Sequence, residues 1–117
     1  MNRSEARVAA FAELYAADVA QTEPASDLPA RAQRYVDGVW EHRRELDDQI
    51  GAVATGWRVE RMPPVDRNIL RLGLYELTYT DTPVGVVISE AVELAKTYST
   101  ARSGAFVNGV LAQLAST

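Results

Sequence analysis

The sequence predicts an all-α fold: a compact bundle of about five to six helices forming a single domain over residues 1–117. Three observations predict it. Apolar residues recur at helical spacing in each long segment, and nowhere do they alternate as on a half-buried strand. Short polar segments holding Pro, Ser and Asp interrupt that periodicity where turns between helices would fall. The stretch PPVDRNILRLGLYELTY, Pro63 to Tyr79, is so aliphatic on one side that it reads as a helix wedged between others. A chain of 117 residues can bury a core without disulfide or metal staples.

Arg3 to Val19 reads as the first helix, with Val8, Phe11, Leu14, Tyr15 and Val19 on its apolar stripe. Arg3 and Arg7 stand four apart on the edge of that stripe. They form either a solvated face or a small cationic strip able to hold single-stranded nucleic acid. Glu5 and Glu13 dilute their field. Gln21 to Leu28 is a short polar loop. Pro29 then opens a second helix. Ala32, Val36, Val39, Arg43, Leu46, Ile50, Val53 and Trp57 follow a 4-3-4-3 spacing. That spacing predicts one long helix to about Thr55, roughly 40 Å at the standard rise. Gly38 and Gly51 weaken it by roughly 1 kcal/mol each relative to Ala and mark where it would kink. Gly56 suits a helix terminator.

Trp57 to Met62 reads as a connector. In the central helix that follows, Pro suits the first positions and Asp66 suits the positive end of the dipole. Val65, Ile69, Leu70, Leu72, Gly73, Leu74 and Leu77 cover its apolar face. Arg67, Arg71 and Tyr75 line the opposite face, a solvated back or a surface for a partner. Glu76 falls at the edge of the apolar face and reads as a buried or half-buried carboxylate paired with an arginine. Asp81, Thr82 and Pro83 signal a turn and a new helix. Val84 to Val87 is expected to stay extended before that helix settles, because β-branched residues and Gly85 weaken its first turn. Ile88, Ala91, Val92, Ala95 and Tyr98 share its inner face. Ser103 is the expected N-cap of a last helix, whose stripe is Phe106, Val107, Val110, Leu111 and Leu114.

Composition narrows the function. The absence of cysteine excludes disulfides and thiolate metal sites, and one histidine, His42, leaves little scope for zinc. His42 lies in EHRRELDD, read as a solvated helix face. Asp47 and Asp48 are adjacent, so they point to different sides of a helix rather than to one metal. There is no glycine-rich phosphate loop and no nucleophile elbow. The chain reads as a binding module without cofactor rather than an enzyme. No apolar run is long enough to span a membrane and no signal-peptide core is apparent, which places the chain in the cytoplasm. The net charge of −4 argues against coating nucleic acid by bulk attraction, while a local basic patch remains open.

Three blocks in order carry a resemblance. They are DRNILRLGLYEL (Asp66 to Leu77), P-x-x-V-x-I-S-E-A-V-E-L-A-K (Pro83 to Lys96) and S-x-x-FVNGVL (Ser103 to Leu111). Upstream, Leu14-Tyr15, Gly38-Val39, Leu46 to Ile50 and Trp57 to Arg61 fit the same order. Over nearly its whole length the chain resembles the NusB family of transcription antitermination factors. The resemblance implies an all-helical fold of two packed subdomains and a cytoplasmic protein. It implies pairing with NusE, a small-subunit ribosomal protein, on single-stranded boxA RNA of ribosomal RNA leaders, within the transcription elongation complex.

Matched by position, the resemblance assigns Arg3, Arg7, Arg71, Ser103 and Phe106 to RNA, and Tyr15 and Asp66 to NusE. From periodicity alone, Phe106 fits base stacking and core packing equally. The loop Gln21 to Leu28 replaces a further short helix usual in the family, so the chain resembles a shortened form. Ser89 stands where the family carries Asn. A homodimer stays open, because a helical surface used for RNA can also self-associate. So do two alternatives: an interaction module of this fold that has lost useful RNA binding, and a fragment of an RNA methyltransferase, whose relatives carry a similar leading domain.

Overall fold

The computed structural model describes residues 1–117. Its elements are α1 (Arg3–Ala20), α2 (Ala30–Glu41), α3 (Arg43–Val53), a single 3-10 turn (Val59–Arg61), α4 (Pro64–Tyr79), α5 (Val84–Tyr98) and α6 (Ala101–Ala115). The central stretch is α4, and it packs against all five other helices. Ile69, Leu70, Leu72 and Leu74 are buried as the aliphatic face requires, while Val65 and Leu77 lie at its margin. Gly73 lets α6 approach: a Cβ there would stand 2.9 Å from a methyl of Leu111. A core cluster of 24 residues draws on every helix.

α1 begins with a capping box. The Asn2 side chain accepts from the Glu5 amide at 2.8 Å, and the Glu5 carboxylate accepts from the Asn2 amide at 2.8 Å. α1 closes on Gln21 at φ 58°, a left-handed position without glycine. Its buried face differs from the expected stripe. Ala6, Ala10, Phe11, Leu14 and Ala17 go inside, while Val8, Tyr15 and Val19 stay exposed. Small alanines let α2 and α4 come close, and that contact sets the rotation of the helix rather than the count of large side chains. The loop before α2 has no helix. It is tied down by the Ala25 amide donating to Glu13 and by Gln33 bridging Leu28 and Ala25.

The single long second helix is corrected to two. α2 and α3 meet at His42, whose φ of −98° and ψ of 14° serve as the end of one and the start of the other. The break falls at neither Gly38 nor Gly51. Arg43 caps it: its guanidinium donates to the Trp40 carbonyl at 2.6 Å, satisfying an acceptor left open at the end of α2, and lies 3.9 Å from the Trp40 ring. His42 is therefore no solvated helix face; its ring stacks on Tyr79 with centroids 4.2 Å apart. Gly56, at φ 81°, lies beyond the α3 cap in the turn that leads to the connector.

Two further expectations are corrected. Val84 to Val87 is helical from Val84, because Pro83 presets the backbone and its carbonyl accepts from the amides of both Val86 and Val87. The N-cap of α6 is Thr100, whose hydroxyl accepts from the Ser103 amide at 3.1 Å; Ser103 itself lies buried one turn inside.

Candidate functional site

The two arginines of α1 have different fates. Arg3 is exposed and has no carboxylate within ion-pair distance. Arg7 is only 4% exposed. Its Nε donates to Glu76 Oε1 at 2.5 Å, its Nη2 to Glu76 Oε2 at 2.9 Å and its Nη1 to Glu90 Oε1 at 3.3 Å. Glu76 is 1% exposed, so the carboxylate expected to be buried or half-buried and paired is fully buried, and its partner is Arg7. Burial pulls the Arg7 pKa down. The hydrogen bond and charge of Glu76 outweigh burial and hold it above the ordinary value. This pair fastens α1, α4 and α5 together, and Arg7 has no free donor face toward solvent.

Arg71 is also committed. Its Nε and Nη2 donate to the two oxygens of Asp47 at 2.7 and 2.9 Å, a forked pair from α4 to α3. Its Nη1 reaches Asp18 at 3.4 Å. Asp18 of α1 accepts from Arg67 at 2.6 and 3.0 Å and from Asn68 at 2.7 Å. Burial pushes the Asp18 pKa up, but these donors prevail and hold it below the ordinary carboxylate range. The back of α4 is thus a clamp between helices rather than an open cationic row.

Ser103 is buried, with its hydroxyl 2.9 Å from that of Ser99. Phe106 is half-buried against the core, and its ring centroid lies 5.8 Å from that of Trp57. Trp57 shares a depression with Arg71, on the connector side of α4. Arg3 instead faces Tyr79, Thr80 and Thr82 at the opposite end of α4. The five RNA candidates therefore do not form one contiguous patch. For the partner surface, Tyr15 is 37% exposed beside Val19 on the outer side of α1. Asp66 is 6% exposed in the first turn of α4, and its Oδ1 has no hydrogen-bond partner. The Asp18–Arg67 pair joins the last turns of α1 to the first turn of α4, so Tyr15 and Asp66 share one end of the molecule.

An open cleft of about 340 Å³ escaped the sequence reading. It is lined by Arg3 of α1, by Arg31, Arg34 and Tyr35 of α2 and by Tyr75 and Tyr79 of α4. The signal was present as Arg31-x-x-Arg34-Tyr35, which helical spacing puts on one face, and as Tyr75 and Tyr79 one turn apart. What hid it was the break at His42, without which α2 cannot be placed beside the end of α4. Gly38 seats the wall: a Cβ there would fall on the Tyr75 ring.

The fold and these sites can be set beside known proteins. The model of the NusB family matches residues 3–116. The chain belongs to the NusB family. A transcription antitermination protein NusB from Frankia casuarinae is 52% identical over 109 residues, covering 92% of this chain and 79% of that protein. One from Anaeromyxobacter sp. is 46% identical over 130 residues, covering 98% of this chain and 90% of that protein. T. maritima NusB shares the fold with a TM-score of 0.90 at 35% identity, over 99% of this chain and 92% of that one. A chain from a crystal structure of the antitermination factors NusB and NusE in complex with double-stranded RNA gives 0.85 at 32% identity, over 97% of this chain and 96% of that one. As in those NusB structures the architecture is all-helical, and no helix here is long and apolar enough to cross a membrane.

Proposed function

We propose that this chain is an RNA-binding transcription antitermination factor that pairs with NusE on boxA RNA of ribosomal RNA leaders, within the elongation complex. One observation carries the reading: its likeness to the chain from the NusB–NusE–RNA complex extends over nearly all of both. In this reading all six helices act as one cytoplasmic, non-enzymatic unit. Tyr15 and Asp66 form the NusE surface, supported by their shared end of the molecule and by the unpartnered Oδ1 of Asp66, which a donor from NusE would satisfy. Arg3, Ser103 and Phe106 contribute to RNA, Phe106 through the part of its ring left open. Arg7 and Arg71 hold the helices that present them. Capture of NusE, with and without boxA RNA, tests the reading. The expected result is a complex that binds RNA more tightly than either protein alone. Capture of NusE with no gain in RNA affinity would instead establish an interaction module that has lost RNA binding, the alternative favoured by the pairing of Arg7 and Arg71 with carboxylates.

A further inference from the structure

The arginines of this acidic chain divide by partner. Arg7, Arg58, Arg67 and Arg71 each stand within 4.0 Å of a carboxylate. The other seven do not, and among these Arg3, Arg31 and Arg34 are exposed and line one cleft. Helical spacing accounts for Arg31 and Arg34, three apart on α2, and the packing of α1 on α2 brings in Arg3. None of the three has a carboxylate within ion-pair distance, so their donors are open to an anion. Asp81 in the lining and Glu45 on the Tyr79 hydroxyl offset part of their charge.

The tyrosines of the cleft are packed on one another and braced by α3. Tyr35 and Tyr75 meet edge to face at 6.5 Å, Tyr75 and Tyr79 lie 5.4 Å apart, and His42 stacks behind Tyr79. The Tyr79 hydroxyl donates to both oxygens of Glu45 at 2.9 Å, which fixes its ring. Clustered guanidiniums beside preset ring faces suit a ligand with alternating phosphates and bases, and a peptide of acidic side chains would leave the rings unused. A volume of about 340 Å³ falls in the usual range of roughly 300–1,000 Å³ for small-ligand clefts.

We propose that this cleft holds a nucleotide step of single-stranded RNA, with phosphates on Arg3, Arg31 and Arg34 and a base against the Tyr75–Tyr79 wall. The proposal rests on the RNA-binding reading above and extends the RNA path onto α2.

The test is the affinity of the chain, saturated with NusE, for a fluorescein-labelled boxA oligoribonucleotide across a salt series. Four proteins are compared: wild type, the double variant R31A/R34A, Tyr79→Ala and Tyr79→Phe. Thermal melts confirm that each is folded; Arg31 and Arg34 are exposed and unpaired, so the double variant should fold. Losing two phosphate contacts should flatten the salt slope by about 1.4, at about 0.7 per contact on a single strand. Tyr79→Ala should weaken binding by about 5- to 150-fold, the equivalent of one lost base stack. Tyr79→Phe keeps the ring but loses its tie to Glu45, so its affinity should fall between those of wild type and Tyr79→Ala. Wild-type affinity and slope in both R31A/R34A and Tyr79→Ala, with Phe106→Ala impaired, would overturn the cleft and leave the RNA function standing. No binding by wild type would overturn both. A loss of NusE capture by R31A/R34A without RNA would make the cleft a protein contact and overturn the proposal.

Discussion

Arg7 and Arg31 are the same residue type on neighbouring helices, and they do opposite things. Arg7 points inward, where Glu76 and Glu90 neutralise it, and its contribution is to hold α1 against α4 and α5. Arg31 points outward, has no anion in reach, and leaves its whole donor fork available. Burying a charge is tolerable only with a partner. An arginine inside a helical core is therefore evidence of a structural pair, and an unpaired cluster outside it is evidence of a ligand. The distinction decides which arginines of this chain can meet phosphate.

The largest effect should come from breaking the inner pair. Glu76→Ala leaves the Arg7 charge buried with only its 3.3 Å contact to Glu90, so urea unfolding should show a loss of about 3–5 kcal/mol. Replacing both partners by apolar residues, R7M/E76L, should recover most of it, because no charge then remains inside. A loss below about 1 kcal/mol in Glu76→Ala would mean that Arg7 reaches water and that the two arginine classes are not distinct.

Next comes the clamp on Asp18, intermediate between the two classes. Asp18→Asn should cost about 1.5–3 kcal/mol, the scale of hydrogen bonds to a charged group. Its folded pKa lies below the unfolded value, so its contribution is complete above the unfolded pKa of about 3.9 and is lost as pH falls through the folded pKa. Unfolding followed from pH 6 down to pH 2 should show wild type losing stability below about pH 4 more steeply than Asp18→Asn. Parallel curves would remove Asp18 from the clamp.

Gly38→Ala sharpens the comparison from the side of the cleft wall. The added methyl has no room beside the Tyr75 ring, and overpacking of this kind should cost about 1–3 kcal/mol. Near-ultraviolet circular dichroism should report the displaced tyrosine. An unchanged spectrum and stability would mean that the wall is not seated on α2.

The smallest effect belongs to the outer class. R31A/R34A should change stability by no more than about 0.5 kcal/mol, as expected of exposed residues with no partner. A larger loss would show that these arginines are structural after all.

Much of the architecture was legible in the sequence. The central helix, the buried carboxylate at Glu76, the all-α class and the family resemblance follow from periodicity and ordered motifs, which are local properties of the chain. Aliphatic residues at helical spacing must be covered by something, whatever covers them. The pairings were not legible. Arg7 meets Glu76 across 69 positions and Arg71 meets Asp18 across 53, so neither partner can be read from spacing. Periodicity also defines a helical face only relative to the helix itself. The rotation of α1 that hides Arg7 and exposes Val8, Tyr15 and Val19 was set by alanine contacts with its neighbours. The division of α2 from α3 falls at His42, where the Arg43 side chain takes up the Trp40 carbonyl, and the 4-3-4-3 pattern runs through that point without marking it. Sequence alone thus determined which segments are helices and roughly how apolar each face is. Tertiary structure decided which charges are spent inside and which remain for a ligand, because that choice depends on carboxylates brought close only when distant helices pack.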